Sequence, residues 1–298
     1  MLLINFVAFA GNLLICLVMY NKSRFHTKTN TFMLALAMCY AFIASLVMPF
    51  TVGSLMTGKW LFGQVLCDIQ AFAFLSLTWV SLLTLTVMTI SRFFQVTNLA
   101  FYNKWFSLNR SYAMIMAVWI VVILTLISAE AFGTARFRFS PNDSLCSIYF
   151  GVQRESRHTA YAVITLALYS TLPVVSLIAW GAIRRHKACV HPSGQSSERR
   201  NDIEMRKSAE ERKTNRMVLA LIIGALVFWL PAVAINVLSF LIRLPRQAHL
   251  TATFFWFAVP ALHPIIYGAL HRPFSKEVLK VLPTSRKRQN EGHAEEAI

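Results

Sequence analysis

The stretch from Cys67 to Val96 limits most strongly what this chain can fold into. It has no basic residue between Asp68 and Ser91, and Asp68, at its start, is its only acidic residue. As a helix with a rise of about 1.5 Å per residue, it reaches roughly 45 Å, enough to cross a bilayer with its headgroups. Small hydroxyls form hydrogen bonds between membrane helices, so their number here predicts a central helix with neighbours on several sides. These hydroxyls belong to Ser76, Thr78, Ser81, Thr84 and Thr86.

Apolar runs of spanning length recur along the whole chain. The chain is 56% hydrophobic and 14% charged, whereas soluble domains carry about 25% charged residues. The composition therefore predicts an all-α membrane protein: a seven-transmembrane helix bundle over residues 1–270, then a short cytoplasmic amphipathic helix and a disordered tail over 271–298. The amphipathic helix is predicted from an apolar stripe of Phe274, Val278, Leu279 and Leu282. The seven spans are expected near residues 1–20, 30–56, 64–96, 111–132, 159–186, 208–242 and 249–269.

The distribution of basic residues predicts the orientation. With the amino terminus outside and the carboxyl terminus inside, most of the 29 Lys and Arg residues fall in inner loops, as the positive-inside rule requires. The net charge of +16 then faces anionic lipid and acidic protein surfaces rather than nucleic acid. The predicted location is the plasma membrane, with the lipid bilayer as a partner and no nucleic acid.

Two cysteines and one asparagine belong to the predicted outer face. Cys67 and Cys146 both lie outside, where a disulfide persists, so we expect them to be bridged. Asn142 begins an Asn-Asp-Ser glycosylation acceptor, although such a triplet also occurs by chance. The other cysteines show no metal-ligand spacing, and no metal site is predicted. The first apolar run begins at Met1, which leaves open a genuinely short amino terminus or a truncated reading frame.

Residues in six of the seven spans, and in the loop after the second, together resemble the rhodopsin-like (class A) G protein-coupled receptor superfamily. Each is a weak signal alone, but they occur in the family's order across nearly the whole chain. They are Asn12 after a glycine, Trp60 and Phe62-Gly63 before Cys67, Ser81, Arg92, Trp119, Pro173, Phe228-Trp229-Leu230-Pro231, and Pro264 with Tyr267.

The resemblance implies a cell-surface receptor, not an enzyme, that binds an extracellular ligand and activates a heterotrimeric G protein without a cofactor. In the family, the arginine matched by Arg92 is restrained at rest and freed when the sixth helix swings out. Here Arg92 could reach lipid phosphate, pair with Glu211 at the start of the sixth span, or receive the partner protein. The resemblance also assigns Trp229, Pro231, Pro264 and Tyr267 to activation.

The resemblance further predicts the wall of a ligand pocket. The position of the aminergic carboxylate is Phe74, and that of the retinal-binding lysine is Phe257, so an amine ligand and a photopigment are both disfavoured. An aromatic and hydroxylic wall suits a neutral or weakly polar ligand, although each residue could equally serve only to pack helices. The predicted wall consists of Phe74, Thr78, Thr165, Tyr169, Trp229, Asn236, Thr253 and Phe257.

Several positions depart from the family pattern. Tyr40 replaces the carboxylate that helps to hold a sodium ion, and a hard cation prefers several oxygen ligands, so we expect no tight sodium site. Tyr40 could instead fill that volume and form a hydrogen bond with Ser81 or His263. His263, in place of an asparagine, could be a protonation switch or a neutral imidazole bonded to a hydroxyl. The other departures are Ser91 in place of an aspartate, Phe93 and Gly181 in place of tyrosines, and Ala225 in place of an aromatic residue.

Two other functions compete with the signalling receptor. Loss of the acidic residues and the short amino terminus would suit a signalling-silent scavenger or partner receptor. A transporter or channel is disfavoured, because the spans show neither an internal repeat nor intramembrane acid–base pairs. No hydrolytic arrangement of residues is visible, because the histidines lack metal-ligand or triad companions.

Overall fold

Six helices in the described part of the chain are long and apolar enough to cross a membrane. The computed structural model describes residues 1–131, 136–149, 164–165, 167–169, 171–182 and 202–281. A shorter apolar helix, Ala167–Ala182, lies within the predicted fifth span. The predicted seven-helix bundle is thereby confirmed.

Ten α-helices lie within the described ranges, and the last of them, Arg272–Val281, follows the seventh span. The second span, Lys28–Thr57, is divided into two helices, and a turn of 3-10 helix over Ser23–Phe25 precedes it. The helices are α1 (Leu2–Asn21), α2 (Lys28–Leu46), α3 (Met48–Thr57), α4 (Gly63–Thr97), α5 (Leu99–Trp105), α6 (Leu108–Ala131), α7 (Ala167–Ala182), α8 (Asp202–Leu241), α9 (Arg246–Leu270) and α10 (Arg272–Val281).

Helix α4 is the central helix that its hydroxyls predict. In its most apolar stretch of 18 residues, 67% of the residues are buried, compared with 28% in α1 and 22% in α6. Most of its hydroxyls donate to carbonyls of their own helix: Thr84 Oγ1 to Val80 O at 2.7 Å, for example. This arrangement satisfies the hydroxyls without water and allows them to face neighbouring helices.

The second span breaks where Pro49 predicts a kink. Helix α2 ends at Leu46 and α3 begins at Met48, with Pro49 in its first turn, where its missing N–H does no harm. The carbonyl of Val47, at the break, accepts hydrogen bonds from both the backbone N–H and the hydroxyl of Thr51, each at 3.2 Å. The break thus exposes a strongly hydrogen-bonding carbonyl toward α4.

A β-hairpin lies within the segment from Gly133 to His158, whose mixed polar composition favours an irregular loop. Strand β1 (Arg136–Ser140) pairs antiparallel with β2 (Leu145–Tyr149), and Phe139 lies opposite Cys146. In the sequence RFRFS, basic and aromatic residues alternate, and this period of two residues is typical of a strand with one buried face. That short signal corrects the expectation of an irregular loop.

Close packing joins α9 to α1 and α8. A Cβ placed on Gly11 would lie 2.6 Å from the Pro264 ring, and one placed on Gly224 would lie 2.8 Å from Leu262. At Gly11 the neighbour is a rigid proline ring, so glycine is required there, whereas at Gly224 the neighbours are the flexible ends of Leu262 and Ile266. Helix α10 packs against the end of α9: Phe274 lies edge-to-face with Tyr267, their ring centroids 4.8 Å apart.

Candidate functional site

Polar and aromatic contacts run through the bundle from the Cys67–Cys146 disulfide to Arg92, near the two ends of α4. These ends are called here the disulfide end and the Arg92 end. The disulfide is formed as predicted, with the two Cα atoms 5.4 Å apart. It attaches β2 directly to the start of the central helix.

Gln70 is the second attachment of the hairpin and is completely buried. Its Oε1 accepts a hydrogen bond from the Cys146 N–H at 3.1 Å. Its Nε2 donates to Val47 O at 3.0 Å and to Thr51 Oγ1 at 3.1 Å. One side chain therefore joins the hairpin, the central helix and the break in the second span.

The hairpin turn is fixed on its other side to α9. Asp143 Oδ1 lies 3.0 Å from His249 Nδ1, and the Thr253 hydroxyl donates to Asp143 O at 3.0 Å. Arg246 Nη2 donates to Ser144 Oγ at 3.4 Å. The hairpin is thus held to the second, third and seventh spans, across one end of the bundle. Asn142, the candidate glycosylation site, is exposed in the same turn.

Aromatic rings from three spans meet below the hairpin. Trp256 lies edge-to-face with Trp229, their centroids 5.5 Å apart, and with Phe74 at 5.9 Å. Phe257 lies edge-to-face with Phe74 at 6.0 Å. Such arrangements are favoured by the quadrupoles of the rings. This cluster forms the roof of a cavity that extends toward the Arg92 end.

The cavity has about 390 Å³ of empty space, which includes space open to solvent, and its lining is uncharged. Three of the predicted pocket residues, Phe74, Thr78 and Trp229, meet there. The remaining lining residues are Tyr40, Ile43, Ser81, Leu82, Leu85, Ala225, Trp256, Val259 and Pro260. Trp256 was not predicted. It could have been found from its helical spacing to Pro260 and His263, which places all three on one face of α9.

The other predicted pocket residues lie away from this cavity. Tyr169 stacks on Trp79 with centroids 4.6 Å apart, and its hydroxyl lies 3.1 Å from Thr125 Oγ1. Asn236 Nδ2 donates to a carbonyl of its own helix, Ala232 O, at 2.8 Å. Thr253 is bonded to the hairpin turn, Phe257 packs behind Phe74, and Thr165 is buried in the fifth span. The eight predicted residues therefore do not line one common cavity in this structure.

Asn12 and His263 form a buried pair, and His263 lines a second, smaller cavity together with Tyr40 and Leu85. Asn12 Nδ2 donates to Ala8 O at 2.7 Å and to Pro260 O at 2.8 Å. Its Oδ1, 2.8 Å from His263 Nδ1, must therefore accept, and Nδ1 carries the hydrogen. The partner of the imidazole is thus an amide oxygen, not the hydroxyl that was expected.

Tyr40 occupies the position at which the family pattern has a carboxylate. Its ring lies edge-to-face with His263, their centroids 5.2 Å apart, and it lines the cavity together with Ser81. The Ser81 hydroxyl bonds to Leu77 O at 2.7 Å. Tyr40 thus lies beside His263 at the wall of the cavity, and its expected hydrogen bond with Ser81 or His263 stays a prediction.

At the other end, Arg92 is 3% exposed and contacts three elements. Its Nη1 donates to Gln95 Oε1 at 2.8 Å and to Asn215 Oδ1 of α8 at 3.4 Å, and its Nη2 donates to Thr29 Oγ1 of α2. Glu211, the predicted partner, lies one turn before Asn215, and its side chain is outside the described part of the structure.

The remaining residues assigned to activation lie in α8 and α9. Pro231 is inside α8, which continues through it, and Pro264 is inside α9. The Tyr267 ring is fully buried and stacks on His271, their centroids 4.8 Å apart. The Ser91 hydroxyl donates to Met88 O of its own helix at 2.7 Å. The family's acid at that position would carry a charge next to Arg92, whereas Ser91 carries none.

Known proteins resemble the chain in sequence and in fold. The family described as "7 transmembrane receptor (rhodopsin family)" matches residues 11–267. G-protein coupled receptor 161 of Homo sapiens is 27% identical over 90% of this chain and 55% of its own length. Melatonin receptor type 1B of Rattus norvegicus is 21% identical over 93% of this chain and 74% of its own length. The chain thus spans about half the length of the human relative.

A solved structure shares the fold. Squid rhodopsin superposes with a TM-score of 0.82 at 20% identity, over 95% of this chain and 83% of the other. At this identity the likeness describes the architecture.

Proposed function

The chain belongs to the rhodopsin family of seven-transmembrane receptors, and from this premise we propose that it binds an extracellular ligand at the disulfide end and activates a heterotrimeric G protein at the Arg92 end. The disulfide end then faces the outside of the plasma membrane, where a disulfide persists. The excess of basic residues in the opposite loops supports the same orientation. The name of the human relative describes a G-protein coupled receptor. We extend that coupling to this chain.

The observation that carries the proposal is the set of contacts around Arg92. The guanidinium joins α2 through Thr29 to α8 through Asn215. A partner protein can insert at this end only if α8 moves away from α4, and this movement breaks the contact with Asn215. Arg92, with its five N–H groups, is then available to the partner. Helix α8 contains Pro231, a place where its backbone hydrogen-bond ladder is weakened and can bend.

We propose a neutral or weakly polar ligand of low molecular weight. The lining of the cavity below the hairpin is uncharged, so a buried ammonium or carboxylate group would lack a counter-charge there. Phe74, Thr78 and Trp229 are proposed to contact the ligand or the rings beneath it. The remaining candidates for the outer wall of the pocket are Thr165, Tyr169, Asn236, Thr253 and Phe257. Thr253 can contact the ligand only if its hydrogen bond to the hairpin turn is broken.

The experiment compares the wild type, Arg92→Ala and Glu211→Ala at matched surface levels, with a panel of G-protein dissociation sensors and no ligand. Arg92→Ala is expected to lose signalling, because it removes the group that meets the G protein. Glu211→Ala is expected to raise it, because it removes a restraint and leaves Arg92. Arg92→Lys is the matched control. It keeps the charge but not the planar guanidinium, so it should restore little of the signalling that Arg92→Ala loses. Unchanged signalling in Arg92→Ala would contradict the proposal.

A signalling-silent receptor of the same fold is the second candidate. It is favoured by Ser91, which replaces the acid beside Arg92 and bonds to its own helix, and by Phe93, which replaces the tyrosine after it. If no member of the panel responds to the wild type or to Glu211→Ala, this second function takes the lead.

A further inference from the structure

We propose that Arg110, together with Trp105 and Lys104, binds the headgroup of an anionic phospholipid at the Arg92 end of the bundle. The acyl chains of this lipid lie along the exposed side of α6. The inference rests on the proposed function only in assigning the lipid to the inner leaflet, because it concerns binding and not signalling.

Arg110 is held over an exposed aromatic ring. Its guanidinium carbon lies 5.5 Å from the centroid of the Trp105 ring, and the Trp105 side chain is 46% exposed. This cation–π contact positions the guanidinium without using its N–H groups. Within the described part of the chain, the Arg110 side chain forms no hydrogen bond and no ion pair. Its planar set of N–H groups is therefore open to the oxygens of a phosphate or carboxylate.

Two further cations lie around the same short helix, α5. Lys28 Nζ lies 4.9 Å from the centroid of the Tyr102 ring. Tyr102 and Trp105 are three residues apart in α5, so their rings lie on the same side of that helix. Lys104, next to Trp105, is exposed. The connection between the third and fourth spans thus brings three positive charges together.

No acidic residue nearby in the chain offsets these charges. Before Glu130 the only acidic residue is Asp68, which lies at the disulfide end. Residues 21–28 and 97–110, the first two connections at the Arg92 end, contain five Lys and Arg residues and no Asp or Glu. The field of this surface therefore favours an anionic partner.

The place of Arg110 on α6 indicates that the anion belongs to a lipid. Beyond Arg110, the exposed residues Ala113, Ala117, Val121 and Leu124 follow at intervals of three or four, so they form one apolar stripe along the helix. In a spanning helix such a stripe faces acyl chains, and a long basic side chain at its end reaches the headgroups. Exposed tryptophans are typical of this level of the membrane. The inner leaflet also carries the negative surface potential.

The test uses the purified full-length chain in nanodiscs of phosphatidylcholine that contain a trace of a phospholipid with a photoactivatable diazirine in its acyl chain. The probe has either a phosphatidylserine or a phosphatidylcholine headgroup, and mass spectrometry locates the cross-linked peptides. The phosphatidylserine probe is expected to label α6 between Arg110 and Leu124, and the phosphatidylcholine probe to label it far less. Excess glycerophosphoserine, the same headgroup without acyl chains, should not compete, because it gains nothing from the apolar stripe.

Variants at two positions locate the site. Arg110→Gln should reduce the labelling of α6 roughly fivefold, which is the contribution of one basic residue near an anionic membrane surface. Arg110→Lys keeps the charge but not the planar guanidinium, so it should restore only part of the labelling. Trp105→Ala should also reduce labelling, whereas Trp105→Phe, which keeps a ring beneath the guanidinium, should restore it.

Arg212→Gln is the matched control. Arg212 is an exposed arginine near the same end of the bundle, on α8, and it lies over no aromatic ring among the described residues. This variant removes one positive charge without touching the proposed site, so labelling of α6 should stay unchanged. Because the exchanged arginines are exposed, both glutamine variants should keep the thermal stability of the wild type.

The proposal is overturned if the two probes label α6 equally, if Arg110→Gln leaves the labelling unchanged, or if Arg212→Gln reduces it as much. Competition by glycerophosphoserine would show that the site takes a soluble anion and would overturn the assignment to a lipid. Both leaflets of the nanodisc have the same composition and no G protein is present, so these outcomes are separate from a failure of the proposed orientation or signalling.

Discussion

The contact between Gly11 and Pro264 offers a direct measure of how tightly the first and seventh spans are packed. In Gly11→Ala, the new Cβ would lie 2.6 Å from both Cβ and Cγ of Pro264. Ordinary carbon–carbon contacts are about 3.5 Å, so the helices must separate by roughly 1 Å. The proline ring has no rotamer by which it could move away, so the strain passes to the backbone.

The magnitude follows from two opposing effects. Overpacking of this kind costs about 1–3 kcal/mol, whereas alanine is favoured over glycine inside a helix by about 1 kcal/mol. The matched control is Gly268→Ala, in the same helix as Pro264, where a Cβ meets nothing within 4 Å. The propensity gain is common to both variants, so their difference isolates the packing cost.

The assay is thermal unfolding of the two purified variants and the wild type in one detergent. Gly268→Ala is expected to melt slightly above the wild type. A packing cost of about 2 kcal/mol should place Gly11→Ala about 4–8 °C below Gly268→Ala, given a shift of about 2–4 °C per kcal/mol for a chain of this size. Equal melting temperatures for the two variants would refute the close packing of α1 on α9.

Three further predictions concern the hairpin and the ion site. Gln70→Leu should lower the free energy of unfolding by about 1–3 kcal/mol, because it leaves the Cys146 N–H buried and unpaired; it should also speed hydrogen exchange in the hairpin, and unchanged exchange would contradict this role. Cys67→Ser should reduce surface expression, and in the wild type an impermeant thiol reagent should label Cys67 and Cys146 only after reduction. Replacing sodium with a large organic cation should leave the melting temperature unchanged, because Tyr40 has replaced the carboxylate; a sodium effect that disappears in Ser81→Ala would show that an ion site persists.

The spans were predictable from the sequence because a membrane helix needs only length and apolar character. The disulfide was predictable because topology placed just two cysteines on one face. The contacts of Gln70 were not predictable in the same way. A lone amide in an apolar helix indicates burial, but its partners depend on the break at Val47 and on the hairpin register that brings the Cys146 N–H within 3.1 Å. Both are tertiary features.

The pocket residues show the limit of alignment by spacing. Spacing assigns a residue to a height and a face of its own helix, and for Phe74, Thr78 and Trp229 this was sufficient. It does not describe what approaches from another element. Thr253 is bonded to the hairpin turn, a contact between residues 110 positions apart in the chain. The irregular connections decide such contacts, and the sequence specifies them least.

The prolines of α9 explain why the chemistry of His263 could not be predicted from that residue alone. In a regular helix the carbonyl of residue 260 would accept a hydrogen bond from the amide of residue 264, but Pro264 has no N–H. Asn12 Nδ2 donates to this carbonyl instead, at 2.8 Å. That bond fixes the orientation of the Asn12 amide, so its oxygen faces His263 Nδ1, and Nε2 is left toward the cavity. Because Pro264 has no N–H, Asn12 is oriented so that His263 Nδ1 must donate to it. Nε2 is therefore the nitrogen of His263 that can accept a hydrogen bond.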